Sequence, residues 1–122
     1  MKTLRFAELK HKASPRRRAA IARAAKTMNN PPHPGELISA LYLEPHGISG
    51  RQLAAKLNVA PSTLNRILLG TSAVSPEMAL RLAKTLGRSP ESWLALQHSY
   101  DLWQARRRVD LADVSPLKLA TA

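Results

Sequence analysis

Two short stretches of regularly spaced apolar residues, 49–57 and 61–70, constrain the fold of this chain more than any other feature. Both have the three- and four-residue spacing of a helix that buries one face. Ser49 followed by Gln52 has the form of a capping box, which marks the start of the first helix. Asn58, in the turn between the stretches, tolerates the positive φ that a tight turn needs. The sequence therefore predicts two short helices that cross at a steep angle.

These two helices and the turn between them have the character of a helix-turn-helix. Ala54 is the small residue that allows the two helices to touch, and apolar side chains fill the space around it: Leu53, Leu57, Val59, Leu64, Ile67 and Leu68. The outer face of the second helix carries short polar groups and one arginine, which we place close to the N-terminus of that helix. Such groups suit insertion into the DNA major groove. The alternative is a helical hairpin whose polar face is only solvated.

The candidate base-reading side chains are Ser62, Asn65 and Arg66. Asparagine pairs bidentately with adenine and arginine with guanine, each with about 1–3 kcal/mol of discrimination. The alternative for Arg66 is a phosphate contact. Thr63 either touches a thymine methyl group or packs inward.

Three further polar residues are candidates for contacts with the DNA backbone. Gln52 is placed to donate to a phosphate, although its capping-box role with Ser49 uses the same side chain. Thr71 and Ser72 follow the second helix and offer hydroxyl or N–H groups to the backbone of the DNA.

The rest of the chain also reads as helices. Helix-capping and helix-breaking residues predict further helices at 14–28, 35–44, 76–86 and 90–107, and no stretch has the two-residue alternation of a strand. The predicted fold class is therefore all-α. In the last helix, aromatic and apolar residues spaced three, four and three apart form one stripe, which we interpret as part core and part dimer interface: Trp93, Leu96, Tyr100 and Trp103.

The positive charge is concentrated at the start of the chain. The 122 residues carry a net charge of +11, but residues 1–28 hold nine basic residues and one acidic residue, a net charge of +8. Three prolines within 31–34 predict a stiff linker after this segment. We therefore divide the chain into a basic arm with linker at 1–30, a helical domain at 31–108 and a flexible tail at 109–122.

Several classes of protein are excluded or disfavoured by composition. A chain without Cys forms no disulfide and no Cys-ligated zinc site. Its four His residues are scattered, and no Gly-rich phosphate loop is present, so we predict no enzyme activity, no metal and no cofactor. No apolar run approaches the roughly 18 residues that span a bilayer, so we expect no membrane partner.

The order and spacing of the motifs resemble those of the HigA antitoxins, which are Xre-type helix-turn-helix proteins of bacterial toxin–antitoxin modules. The resemblance covers about residues 31–108 and is carried by these segments: Pro32-His33-Pro34-Gly35-Glu36-Leu37, Leu53-Ala54, Leu57-Asn58-Val59, Ser62-Thr63-Leu64, Arg66-Ile67-Leu68-Leu69-Gly70, Ser75-Pro76-Glu77-Met78-Ala79-Leu80-Arg81-Leu82, Ser89-Pro90-Glu91-Ser92-Trp93-Leu94-Ala95-Leu96-Gln97 and Tyr100-Asp101-Leu102-Trp103.

The resemblance implies a five-helix, λ-repressor-like domain that dimerises and binds a palindromic operator in its own promoter. It also implies a RelE- or HigB-like ribonuclease toxin as partner, and a location in the bacterial cytoplasm. A stand-alone Xre-type regulator without a toxin is the main alternative, and an adaptor that has lost DNA binding is another.

The sequence departs from the family at two places. Ala60 stands just before the second motif helix, where relatives often have Ser, so a helix cap is lost. The arm is longer and more basic than is usual in the family, and its candidate contact residues are Arg16, Arg17, Arg18 and Arg23. Three roles remain open for this arm: contact with the toxin, contact with DNA, or a purely solubilising role. A +8 arm would be repelled by a basic RNA-binding toxin, which argues against a simple approach to the toxin's active site.

Overall fold

The computed structural model describes residues 30–119 of the chain, so the predicted helix at 14–28 lies outside the described residues. Helix α1 begins as Pro34–Ile38 and continues through a π-helical turn, Ser39–Leu43, and a 3-10 turn, Glu44–His46. The remaining helices are α2 (Gly50–Leu57), α3 (Pro61–Leu68), α4 (Pro76–Leu86) and α5 (Pro90–Arg108). The described range contains five helices and no strand, so the all-α prediction is confirmed.

Serine side chains fix the starts of three helices. The hydroxyls of Ser49, Ser75 and Ser89 each accept a hydrogen bond from the N–H three residues later, at 3.0–3.1 Å. At α2 the capping box is complete, because Gln52 Oε1 accepts the N–H of Ser49 at 2.8 Å. These local bonds satisfy N–H groups that a helix start leaves without partners. The predicted starts of α2, α4 and α5 are thereby confirmed.

The core is a single cluster of buried side chains that includes Trp93 of α5. Trp93 has no exposed surface, and its indole N–H donates to the carbonyl of Gly87 at 3.0 Å, so its one polar atom is satisfied. Around it, apolar side chains from all five helices and from the loop before α4 form one cluster: Leu37, Ile38, Ala40, Leu43, Leu53, Ala54, Leu57, Leu64, Ile67, Val74, Met78, Ala79, Leu82 and Leu96. The helix-turn-helix is therefore one wall of a single core.

The turn between α2 and α3 is held from outside by α4. Asn58 has the predicted positive φ, at 58°. The Arg81 guanidinium donates to the carbonyl oxygen of Leu57 at 2.8 Å and is itself held by Glu77 at 2.9 Å. The carbonyl of Leu57, at the end of α2, lacks a helical partner, so the guanidinium caps it. The turn angle is therefore fixed by a residue 24 positions later in the chain.

The start of α1 touches the end of α3 backbone to backbone at Gly35. A Cβ atom at this position would lie 1.9 Å from the carbonyl oxygen of Ile67 and 2.8 Å from the Cα of Leu68. No side chain fits into that space, so only glycine allows the two helices to approach this closely. The contact sets how far the end of α3 lies from α1.

Gly35→Ala is expected to destabilise the fold by about 3 kcal/mol or more, at the upper end of overpacking costs, because the added methyl group meets backbone atoms. Urea denaturation followed by circular dichroism measures this loss. Gly50→Ala is the matched control, since its Cβ would meet only the flexible end of Leu68 at 3.2 Å. Equal stability of the two variants would contradict the proposed contact.

Candidate nucleic-acid interface

The outer face of α3 carries three exposed polar side chains at helical spacing. Ser62, Asn65 and Arg66 are exposed at positions i, i+3 and i+4, whereas Leu64 and Ile67 are buried beneath them. Residues at this spacing share one face of a helix, so the three lie side by side. Thr63 is half-buried, which agrees with its packing interpretation more than with a base contact.

The position of Arg66 differs from the expectation. It lies in the last turn of α3 and not close to the N-terminus, because the helix begins at Pro61 and ends at Leu68. A guanidinium there reaches bases or phosphates only along its long side chain, while Ser62 occupies the first turn.

The N-terminus of α3 is left open for an anion. Ala60 supplies no side-chain cap, as its departure from the family pattern predicts, and no acidic residue lies in the first turn. The first turn of α2 also lacks an acid, whereas α1, α4 and α5 each carry a glutamate there. Helix N-termini are partly positive and favour phosphate when no side-chain carboxylate competes.

These two helix starts border one shallow groove on the surface. Its lining combines side chains of α3 with the first turn of α2, including the cation of Arg51, which the residue spacing did not predict: Gly50, Arg51, Pro61, Ser62, Asn65 and Leu68. Arg51 is exposed and stands in the first turn of α2, where the helix dipole does not favour a cation. The sequence signal that could have found Arg51 is its place directly before Gln52 in the capping box.

The two roles considered for Gln52 use different atoms. The side-chain oxygen accepts the N–H of Ser49 and completes the capping box. The amide NH₂ group is a separate donor, and it belongs to an exposed side chain. Capping thus orients the amide and leaves its donor end for the predicted phosphate contact.

The N–H groups of Thr71 and Ser72 are not available to DNA, contrary to one form of the prediction. Both donate to the carbonyl oxygen of Arg66, at 2.9 and 3.1 Å, and the Thr71 hydroxyl donates to the same oxygen at 3.1 Å. These donors close the end of α3, where carbonyls lack helical partners. For a DNA contact, the hydroxyl of Ser72 remains as predicted.

The loop after α3 is anchored on two buried polar side chains. The amide of Gln97, on α5, accepts the N–H of Val74 at 2.8 Å and donates to Asp101 at 2.9 Å. His33 Nδ1 accepts the N–H of Gly35 at 2.9 Å, its ring meets Tyr100 edge-on at 4.9 Å, and a Cβ at Gly70 would lie 3.7 Å from the same ring.

The predicted stripe on α5 divides into a buried and a half-exposed part. Trp93 and Leu96 belong to the core and have almost no surface for a partner, so their placement corrects the dimer-interface prediction for these two. Tyr100 and Trp103 are half-buried. The Arg107 guanidinium stacks 4.5 Å from the ring centroid of Trp103. A contact with a second protomer stays a prediction for Tyr100 and Trp103.

The arm residues Arg16, Arg17, Arg18 and Arg23 lie outside the described residues. Within residues 30–119, no group of three His, Asp or Glu side chains is arranged to hold a metal ion. No helix in the same range is long and apolar enough to span a bilayer.

Comparison with known proteins assigns the family. Residues 40–93 match the helix-turn-helix family model HTH_3. Antitoxin HigA-1 of Vibrio cholerae is 39% identical over 83 residues, which are 68% of this chain and 78% of that protein. This protein belongs to the HigA family of Xre-type helix-turn-helix proteins.

Solved structures agree with this family. A HigA-family addiction module antidote protein from Coxiella burnetii has a TM-score of 0.68 at 32% identity, covering 73% of this chain and 99% of its own. The antitoxin HigA of Pseudomonas aeruginosa, solved with the higBA promoter, has a TM-score of 0.61 at 35% identity, covering 63% of this chain and 84% of its own. The match to the helix-turn-helix model HTH_3 spans α2, α3 and α4, the helices that border the groove or hold its turn.

The domain is expected to become less stable as the pH drops below about 6.5, because of His33. Burial, opposed more weakly by Asp101, the Ser72 backbone and Glu36, lowers the pKa of His33 from its usual 6.5. The unfolded chain therefore binds this proton at a higher pH than the folded chain. The contribution of His33 is fully present above pH 6.5 and is lost as the pH falls through the folded-state pKa.

His33→Asn is the matched comparison, since its side-chain oxygen still caps the N–H of Gly35 but does not titrate. Urea denaturation at about pH 7.5 and about pH 5 should show a smaller loss in the variant than in the wild type. The same loss in both proteins would remove His33 as the cause.

Proposed function

We propose that this protein is an antitoxin that represses its own operon by binding operator DNA as a dimer. It also neutralises a RelE- or HigB-like ribonuclease toxin. The observation that carries the DNA part is the exposed stripe of Ser62, Asn65 and Arg66 beside the open N-terminus of α3. The HigA of Pseudomonas aeruginosa, solved with promoter DNA, supports the assignment to an operator. The proposed action on promoter DNA is non-enzymatic and takes place in the bacterial cytoplasm.

The proposed dimer presents two copies of α3 to successive turns of the major groove. Helix-turn-helix dimers read half-sites about one helical turn apart, roughly 10 bp from centre to centre. Footprinting on the DNA directly upstream of the gene tests this geometry. The proposal expects one protected palindrome with that spacing. Uniform protection would contradict operator selection, and no protection at low salt would favour the adaptor that has lost DNA binding.

The toxin part rests on family membership and has its own test. Co-expression with a RelE-like protein encoded beside this gene should give a complex that co-purifies and has no ribonuclease activity. A specific footprint without such a neighbour or complex would favour the stand-alone regulator.

We further propose that 31–108 is the folding unit, with 1–30 as arm and linker and 109–122 as tail. Among residues 30–119, the buried hydrophobic residues lie between Leu37 and Leu96, inside this range. The net charge of 29–122 is only +3, so the arm supplies most of the positive charge.

Arg66→Ala is expected to weaken operator binding by about 1–3 kcal/mol and to relax specificity at one base pair. Fluorescence anisotropy with operator variants measures both effects. A uniform loss across sequences, with the salt slope reduced by about one, would assign Arg66 to a phosphate instead. Lys84→Ala, an exposed cation of α4 outside the groove, is the charge-matched control. Unchanged affinity in Arg66→Ala would remove this residue from the interface.

Deletion of residues 1–28 is expected to leave a cooperatively folded helical domain, because the hydrophobic cluster that residues 30–119 form runs from Leu37 to Leu96. Thermal unfolding followed by circular dichroism checks this, and loss of a cooperative transition would contradict the domain boundary.

The same variant separates the roles of the arm. If the arm binds DNA, its deletion lowers the slope of log affinity against log salt by about 0.9 for each phosphate contact that is lost. If the arm binds the toxin, its deletion leaves the salt slope unchanged but abolishes co-purification with the toxin. If the arm only aids solubility, its deletion changes neither.

A further inference from the structure

The carbonyl oxygen of Arg66 is held by an unusual number of donors. It accepts the N–H of Thr71 at 2.9 Å, the N–H of Ser72 at 3.1 Å and the hydroxyl of Thr71 at 3.1 Å. Gly70, with a φ of 81°, reverses the chain, and its own N–H donates to Ile67. This arrangement is a Schellman motif, whose two backbone bonds are those from the N–H of Thr71 to Arg66 and from the N–H of Gly70 to Ile67. The Thr71 hydroxyl is therefore an additional clamp on one peptide group.

The loop that carries this clamp is held on both sides by buried polar side chains. A Cβ at Gly70 would lie 3.7 Å from the ring of His33, which is 6% exposed, and Val74 is held by Gln97, which is 3% exposed. Buried polar groups that are satisfied in this way make a segment rigid. The loop therefore holds the last turn of α3 against α1 and α5.

We infer that Thr71 is a positioning residue for Arg66 and not a DNA contact of its own. Its hydroxyl and N–H fix the peptide from which the Arg66 side chain departs, so the guanidinium reaches the DNA from one backbone position. This inference rests on the proposed binding of operator DNA. It replaces the expectation that Thr71 offers its groups to the DNA backbone.

A flexible last turn would spread the guanidinium over several positions. Long arginine side chains already lose rotamer freedom when they bind, so motion of the helix end adds to that cost. Loss of one neutral hydrogen bond corresponds to about a 2- to 10-fold change in an equilibrium constant. An effect of this size is expected on operator affinity when the hydroxyl of Thr71 is removed.

The test is a double-mutant cycle between Thr71→Val and Arg66→Ala on a duplex that carries the sequence directly upstream of the gene. Thr71→Val keeps the shape of the side chain and removes its hydroxyl. It should weaken binding about 2- to 10-fold in the wild-type background and have no effect beside Arg66→Ala. Thr71→Ser should restore the affinity. The slope of affinity against salt should not change.

The control is Ser75→Ala, which removes the N-cap hydroxyl of α4 from the other end of the same loop. It lowers stability in a similar way but has no hydrogen bond to Arg66, so operator affinity should stay at the wild-type value. Thermal unfolding of each variant confirms that all are folded in the binding assay.

Two results would overturn the inference. Equal weakening by Thr71→Val with and without Arg66 would show that Thr71 does not act through Arg66. A salt slope reduced by about 0.9 would show that Thr71 binds a phosphate directly. Wild-type protein that binds the upstream duplex no better than other DNA would instead contradict the proposed function, and the inference with it.

Discussion

The backbone contact between Gly35 and the end of α3 is the constraint on which the DNA-facing surface depends. Helix α3 has only eight residues, which is too short for a helix to be stable in water by itself. Its orientation must therefore come from its neighbours. A Cβ at Gly35 would lie 1.9 Å from the carbonyl oxygen of Ile67, so α1 meets the end of α3 with no side chain between them. Leu64 and Ile67 are buried beneath the same helix, which turns its polar face outward.

Local signals made most of the fold predictable. The serine caps, the capping box and the positive φ of Asn58 depend on residues within three positions of each other, so they are legible in the sequence. The outward placement of Ser62 and Asn65 follows from the apolar spacing on the opposite face of α3. The π-helical turn Ser39–Leu43 was not predicted, because the sequence there continues an ordinary helical pattern.

Contacts between distant residues were not predictable from spacing. Arg81 reaches the turn 24 residues earlier, and Gln97 holds Val74 from a distance of 23 residues. Arg51 joins the site only because α2 and α3 border one groove, which a pattern along one helix does not reveal. Thr71 was assigned to DNA because its side chain is polar, whereas the structure directs its donors to Arg66.

The total charge of +11 is a poor guide to how this protein selects DNA. Positive charge supplies non-specific affinity for any duplex, whereas base contacts on α3 supply the preference for one sequence. The most direct test is the ratio of affinities for the upstream operator and for a scrambled duplex of equal length and composition, at about 0.15 M salt. We expect the operator to bind at least about a thousandfold more tightly. A ratio close to one would contradict it.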